Sequence, residues 1–201
     1  GKTLYAAMET RTQTPGGAVA NTIAGIGALG LKTGFVGKVR NDALGQFYAK
    51  SMNDTGIEFL NPPMDGSDVP TSRSMIVVTP DGERSMNTYL GISAELGSED
   101  VQDEFGSAAK NVFLEGYLFD KDKGKEAFKR LSRSCRAGGG QAGIAISDPF
   151  CVERHRDDFF DLIKNELDYV IGNEAEVQSL YQTEDTDAAL AQLSEICPLV
   201  V

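Results

Sequence analysis

Apolar positions fall into helical and strand rhythms that alternate along the 201 residues. Residues 1–15 hold a short apolar piece, Leu4 to Met8, and a polar stretch ending at Pro15, with no helical period, so they read as strand or loop. After Gly16 and Gly17, the residues Val19, Ile23, Ile26 and Leu29 recur at three- and four-residue spacing. That spacing predicts a helix with one apolar face, small Ala and Gly residues allow it to pack closely, and Gly30 supplies its C-terminal stop. Residues 33–39 predict a strand. Asn41 or Asp42 then caps a helix that carries Leu44, Phe47, Tyr48 and Met52 on one face and ends at Gly56.

Residues 74–79 and 83–90 alternate with period two around Pro80-Asp81-Gly82, which predicts a hairpin. Apolar strand candidates follow at 111–117, 143–147, 168–172 and 198–201. Helical patterns fill the gaps: one carries Phe128, Leu131 and Cys135 and ends at Gly138-Gly139-Gly140, one spans about 154–165 with Phe159, Phe160 and Ile163 inward, and two shorter ones lie near 177–181 and 188–196. Strands alternating with helices build βαβ units, so the fold class is α/β with a mainly parallel central sheet flanked by helices and a small β lid. No internal repeat competes with that organisation. The apolar β-branched ending at 198–201 has the character of a strand that begins a buried layer, and the chain is expected to be part of a longer domain.

Composition narrows the function. Acidic residues outnumber basic ones by 30 to 19, a net charge of -11, which repels nucleic-acid backbones and anionic membranes and favours a small-molecule substrate. Cys135, Cys151 and Cys197 are widely spaced and odd in number, matching neither a disulfide framework nor a zinc motif, and they suit a reducing cytoplasm. No apolar run reaches bilayer length.

Several short patterns carry chemistry. Gly16 and Gly17 precede a helix, where bare N–H groups and the positive helix end approach a polar ligand closely, and Asn21 lies one turn in, within reach of a hydroxyl. A plain tight turn explains the glycine pair equally well. Asn173 and Glu176 follow the apolar run 169–171, at the carboxyl end of a parallel strand, where open α/β sheets bind ligands. Three residues apart on a first helical turn, they suit the water shell of Mg²⁺ or, equally, a helix cap. Arg84 on the second hairpin arm suits a phosphoryl group if the hairpin covers a cleft, and an exposed strand Arg also simply solvates a surface. His155 is the single histidine, in a charged run that reads as a solvated helix start, which argues against a histidine triad or metal site. Neither a P-loop nor a dinucleotide fingerprint is present, so a dinucleotide-dependent oxidoreductase has no support.

Gly16-Gly17-x-x-x-Asn21, Gly37-Lys38-Val39-x-Asn41-Asp42-x-x-Gly45 and Asn173-x-x-Glu176, taken in this order, resemble the landmarks of the PfkB/ribokinase family. The hairpin with Asp81-Gly82-Glu83-Arg84 looks like the family's lid, with lid strands expected at about 1–14 and 71–91 of one partial kinase domain. Residues 83–91 and Ser147-Asp148-Pro149-Phe150-Cys151-Val152 look most like bacterial adenosine-kinase-type members.

The resemblance implies an ATP- and Mg²⁺-dependent phosphotransferase acting on a ribose-containing substrate, adenosine being the first choice. It implies that Gly16, Gly17 and Asn21 hold ribose hydroxyls, that Tyr117 packs against a base, that Arg84 stabilises the phosphoryl group, and that Asn173 and Glu176 organise ATP phosphates and Mg²⁺, Glu176 through water. It places the general base in a Gly-Ala-Gly-Asp segment, and the sugar-binding Asp in an amino-terminal strand, that this chain lacks. The chain by itself is accordingly expected to be inactive. A sugar kinase and a non-catalytic nucleoside-binding relative are the alternatives, with monomer and homodimer both open.

Overall fold

A computed structural model describes residues 12–201. The chain forms two compact units, Gly1–Ser93 and Ala94–Val201, each with its own core. The lid strand expected at 1–14 lies outside the described residues as far as residue 11, and residues 12–14 form no strand.

In the first unit, α1 (Ala18–Ala28) follows the glycine pair, and Gly30 leaves it at φ +90, as its C-terminal position requires. β1 (Thr33–Phe35) pairs in parallel with β2 (Ile57–Phe59), Thr33 opposite Ile57 and Phe35 opposite Phe59. Between them runs α2 (Ala43–Asp54), as predicted. The expected strand over 33–39 is therefore cut short. The Gly37 N–H turns to the Asn61 side chain (3.2 Å), and the backbone rejoins a parallel partner only at the Arg40–Met64 bridge. β2 is too short to show a period of its own in the sequence. Phe35, Tyr48 and Phe59 pack with ring centroids 5.8 to 6.1 Å apart beside buried Met52 and Ile57.

Asp42 caps α2 by accepting from the Gly45 N–H (2.9 Å), and its other oxygen accepts from the Thr71 N–H (3.0 Å). Burial pushes its carboxyl pKa up, but these bonds outweigh burial and hold it below the usual range. The hairpin forms as predicted, β3 (Arg73–Val78) antiparallel to β4 (Arg84–Tyr89), closed by a turn in which Gly82 takes φ +88.

The second unit is the regular α/β part. β5 (Asn111–Glu115), β6 (Gln141–Ala145), β7 (Tyr169–Ile171) and β8 (Leu199–Val200) form one parallel sheet in that spatial order. Ala142, Gly143 and Ile144 are successive and buried, so both faces of β6 are covered, as a parallel sheet requires. α3 (Asp103–Ser107) precedes β5, while α4 (Asp122–Ala137), α5 (Pro149–Glu166), α6 (Glu174–Tyr181) and α7 (Thr186–Ile196) connect or cover the strands. Two expectations need correction. The strand over 111–117 stops at Glu115, and Gly116–Asp120 is a 3-10 turn. The helix expected at 154–165 begins at Pro149, because Asp148 accepts from the Phe150 and Cys151 N–H groups (2.7 and 3.2 Å) and Pro149 suits a first helical position. His155 is therefore not a solvated helix start. It lies inside α5 with non-helical φ −128 and ψ 26, its side chain only 19% exposed.

Charges set the register of α4 against α5 and the residues just after it. Lys125 reaches Asp158 (2.6 Å), Lys129 reaches Asp161 (3.7 Å), the Arg133 Nε donates to Glu166 (2.9 Å), and Arg136 reaches Asp168 (3.7 Å). The exposed rungs contribute about 0–1 kcal/mol each. Arg133 is different because the Glu166 side chain is only 11% exposed. Arg133→Ala removes the guanidinium partner of that carboxylate, and the melting temperature followed by circular dichroism should fall. Lys129→Ala should leave it nearly unchanged.

Candidate functional site

At the amino end of α1, Gly17 is the N-cap, with φ +121 and no side-chain cap, and no acidic residue occupies the first turn. Among the described residues, a Cβ at Gly16 would meet nothing within 4 Å, and one at Gly17 only the Ala20 methyl at 3.6 Å, so they leave the space over these glycines open, and Gly17 is required for its backbone angle. Uncapped N–H groups at a helix start attract polar or anionic groups. Asn21 is exposed, its backbone N–H bonded to the Gly17 carbonyl (2.9 Å), and its side chain forms no hydrogen bond among the described residues. Gly16, Gly17 and Asn21 are therefore brought together on one helix start. Arg84 stands at the turn end of β4 opposite Val78, exposed and with no ion pair among the described residues.

The second constellation lies at the carboxyl edge of the parallel sheet. Glu115 ends β5, Asp148 follows β6, and Asn173 and Glu176 follow β7. Asn173 and Glu176 form a reciprocal cap. The Glu176 N–H donates to Asn173 Oδ1 (2.9 Å), the Asn173 N–H to Glu176 Oε2 (3.1 Å), and Asn173 Nδ2 to Glu176 Oε1 (2.9 Å). Glu176 is nonetheless buried, and that burial, with the Asp148 charge, pushes its pKa up against the lowering effect of the Asn173 N–H. A Cβ on Gly172 would come within 3.2 Å of its carboxylate. Tyr117 sits on the 3-10 turn, 47% exposed. Its phenol is pushed up by burial first, then by the negative charges of Asp148, Glu115 and Glu176. Tyr117 and the three carboxylates thus share one electrostatic environment at the ends of three adjacent parallel strands, where α/β sheets bind ligands.

Two further residues belong to this edge, Ser147 and Asp148. Asp148 caps α5 ahead of the expected helix start, and its charge reaches the site only through the fold. Ser147 holds φ +80, a conformation that costs a non-glycine residue about 1–3 kcal/mol and recurs at functional sites. Nothing in its residue type announces that angle. Cys151 beneath the turn is buried, its thiol pushed up to about 11, and is therefore inert.

The donors suit a hard cation handled through water. Among the described residues no group of three or more His, Cys, Asp or Glu side chains could hold a metal ion directly. Mg²⁺ prefers oxygen ligands, keeps several waters and often uses only one or two carboxylates beside phosphates. Glu176 and Asp148 offer that kind of donor.

No helix among the described residues is long and apolar enough to cross a membrane. The model for the pfkB family of carbohydrate kinases matches residues 3–201. Among solved structures, adenosine kinase from Sinorhizobium meliloti is 42% identical with a TM-score of 0.91, covering 99% of this chain and 61% of that one. A probable sugar kinase protein from Rhizobium etli CFN 42 is 40% identical with a TM-score of 0.91, covering 100% and 61%. A curated relative, 5-dehydro-2-deoxygluconokinase of Geobacillus kaustophilus, is 26% identical over 172 residues, 83% of this chain and 51% of the relative. The chain therefore spans about half the length of that relative and about three fifths of the two solved structures. With a family match over nearly all its residues and the ribokinase-like α/β fold of its neighbours, the chain belongs to the pfkB family of carbohydrate kinases.

Proposed function

We propose that the full-length protein transfers the γ-phosphoryl group of ATP to the 5′-hydroxyl of adenosine or a closely related nucleoside. The observation that carries this reading is the 42% identity, over 99% of the chain, to an adenosine kinase, against 26% to the curated sugar-acid kinase. In this reading the chain is part of one kinase domain, and the hairpin β3–β4 acts as a lid that keeps water from the reacting phosphate. The α1 start, with Gly16 and Gly17 leaving room for close approach, binds ribose hydroxyls through its N–H groups and the exposed Asn21 amide. Tyr117 packs against the base, and Arg84 neutralises charge on the transferring group. Asn173 and Glu176 orient the water shell of Mg²⁺ on the ATP phosphates, and ATP supplies the phosphoryl group. The general base is expected from a Gly-Ala-Gly-Asp segment, which these residues do not contain.

A second reading, phosphorylation of a free sugar or sugar acid, is favoured by the 40% identity to a probable sugar kinase protein and by the curated relatives. Thermal-shift titration of the full-length protein separates the two: adenosine should raise the melting temperature, while ribose, fructose and 5-dehydro-2-deoxygluconate should not. A shift with sugars alone would sink the nucleoside reading. Asn21→Ala should raise the KM for the acceptor by about 10–100-fold, the loss of one or two ligand hydrogen bonds. Because Asn21 is exposed and its side chain unpaired among the described residues, stability should change by less than about 0.5 kcal/mol.

A further inference from the structure

We propose that Asp120 is a positioning residue that, with Arg154 and His155, clamps the turn carrying Tyr117 onto α5 and so sets the fit of the acceptor's base. The inference rests on the nucleoside reading for its consequence but not for its geometry. Asp120 closes the turn Gly116–Asp120. Its Oδ1 accepts from Arg154 Nε (3.2 Å) and Nη2 (2.9 Å), its Oδ2 accepts from Nη2 (3.1 Å), and His155 Nε2 lies 3.0 Å from Oδ1. Arg154 and His155 are successive residues. On a regular helix successive side chains point about 100° apart, so two of them do not converge on one carboxylate. The non-helical backbone at His155 breaks the regular geometry at the point where both reach Asp120.

The rest of the turn is held by the same helix. The Cys151 thiol donates to the Gly116 carbonyl (3.4 Å), and Phe119 stacks on Phe159 at 4.2 Å with rings 8° from parallel. A Cβ at Gly116 would strike the Ile146 carbonyl at 2.4 Å, so the turn also lies tight on the end of β6. Gly116, Phe119 and Asp120 are thus all held in place, and Tyr117 is the exposed aromatic ring of the turn, Phe119 being buried. A ring that meets a ligand from a rigid turn loses little freedom on binding. Asp120 touches neither of the residues proposed to organise phosphate, so its influence belongs to the acceptor side.

These 201 residues contain no tryptophan, so Tyr117→Trp adds a fluorescent reporter, read as the difference from the parent protein, whose signal does not depend on catalysis. In that background Asp120→Asn should shift the indole emission to longer wavelength and raise its acrylamide quenching about twofold, as a mobile aromatic ring meets more water. Arg154→Lys, which keeps the charge but loses the planar fork, should give an intermediate change. Arg133→Ala, which weakens the packing of α4 on α5 without touching the turn, should leave the indole signal unchanged. With tyrosine at 117, Asp120→Asn should raise the KM for adenosine about tenfold while kcat and the KM for ATP stay within about twofold. An indole signal that neither Asp120→Asn nor Arg154→Lys alters overturns the clamp. A loosened indole with an unchanged adenosine KM in an active enzyme overturns the positioning role. A protein that loosens as expected but phosphorylates no nucleoside keeps the clamp and discards the nucleoside reading.

Discussion

Glu176→Gln should lower kcat by about 10–100-fold and raise the Mg²⁺ concentration needed for half-maximal rate, with stability at neutral pH within about 1 kcal/mol of the parent. The substitution keeps the shape of the side chain. One oxygen remains to accept from the Asn173 N–H, and the contact with the Asn173 amide nitrogen is lost. Against that loss stands the removal of a buried charge. Burial and the Asp148 charge raise the pKa of Glu176 in the folded protein, so the folded state holds that proton more tightly than the unfolded chain does. The stabilising contribution is fully present below the ordinary glutamate range and is lost as pH rises through the raised folded value. Glutamine removes that slope, so denaturation curves of the variant should be flatter than the parent's over the mildly acidic range. A residue needed only as a helix cap would lose stability and leave the kinetics alone. Steady-state kinetics and melts of one preparation distinguish the two roles.

Gly143→Ala carries the largest expected effect on folding. Gly143 is buried in the middle of β6, and Tyr169 on β7 reaches over it, so its ring stacks on Phe113 of β5 (6.4 Å, 15° from parallel) and its hydroxyl donates to the Val112 carbonyl (2.9 Å). The phenol thus ties β5 to β7 across β6, and burial first, then the Cys135 and Asp168 charges, push its pKa up to about 12. A methyl on Gly143 would lie 2.2 Å from that ring. Rotating the ring away forfeits the hydrogen bond and the stacking, which together cost about 2–4 kcal/mol. Tyr169→Ala should also destabilise, by opening a cavity, but the double variant should be much less destabilised than the two losses added, because the alanine methyl then occupies vacated space. Urea denaturation gives all three values. Additive losses would show that the ring does not set the requirement for glycine.

Where the chain repeats a local rule, the sequence was sufficient. The hairpin was legible because alternation flanks Pro80-Asp81-Gly82, and the parallel sheet because apolar runs alternate with helical periods. Short or bent pieces left no such signal. β2 has three residues, and β1 loses its pairing when the Gly37 N–H turns to a side chain 24 positions away. The turn carrying Tyr117 reads as a continuation of β5, because its apolar residues give no notice that the Gly116 backbone must fold against the end of β6.

The candidate site divides along the same line. Asn173 and Glu176 were legible from their spacing after a strand, and the cap they form is the alternative that spacing left open. The shared environment of Asp148, Glu115, Glu176 and Tyr117 joins residues up to 61 positions apart, and only the pairing of β5, β6 and β7 brings them to one edge. The charged neighbours of His155 suggest solvent, whereas Asp120 and Phe119 draw its ring against the protein.

Adenosine-dependent release of ADP by the full-length protein, followed in a coupled assay with Mg²⁺ and ATP, tests the nucleoside-kinase reading most directly. ADP formation should rise with adenosine, depend on Mg²⁺, and stay near background with ribose, fructose or 5-dehydro-2-deoxygluconate. ADP release that responds to a sugar and not to adenosine, or to none of these acceptors, would contradict it.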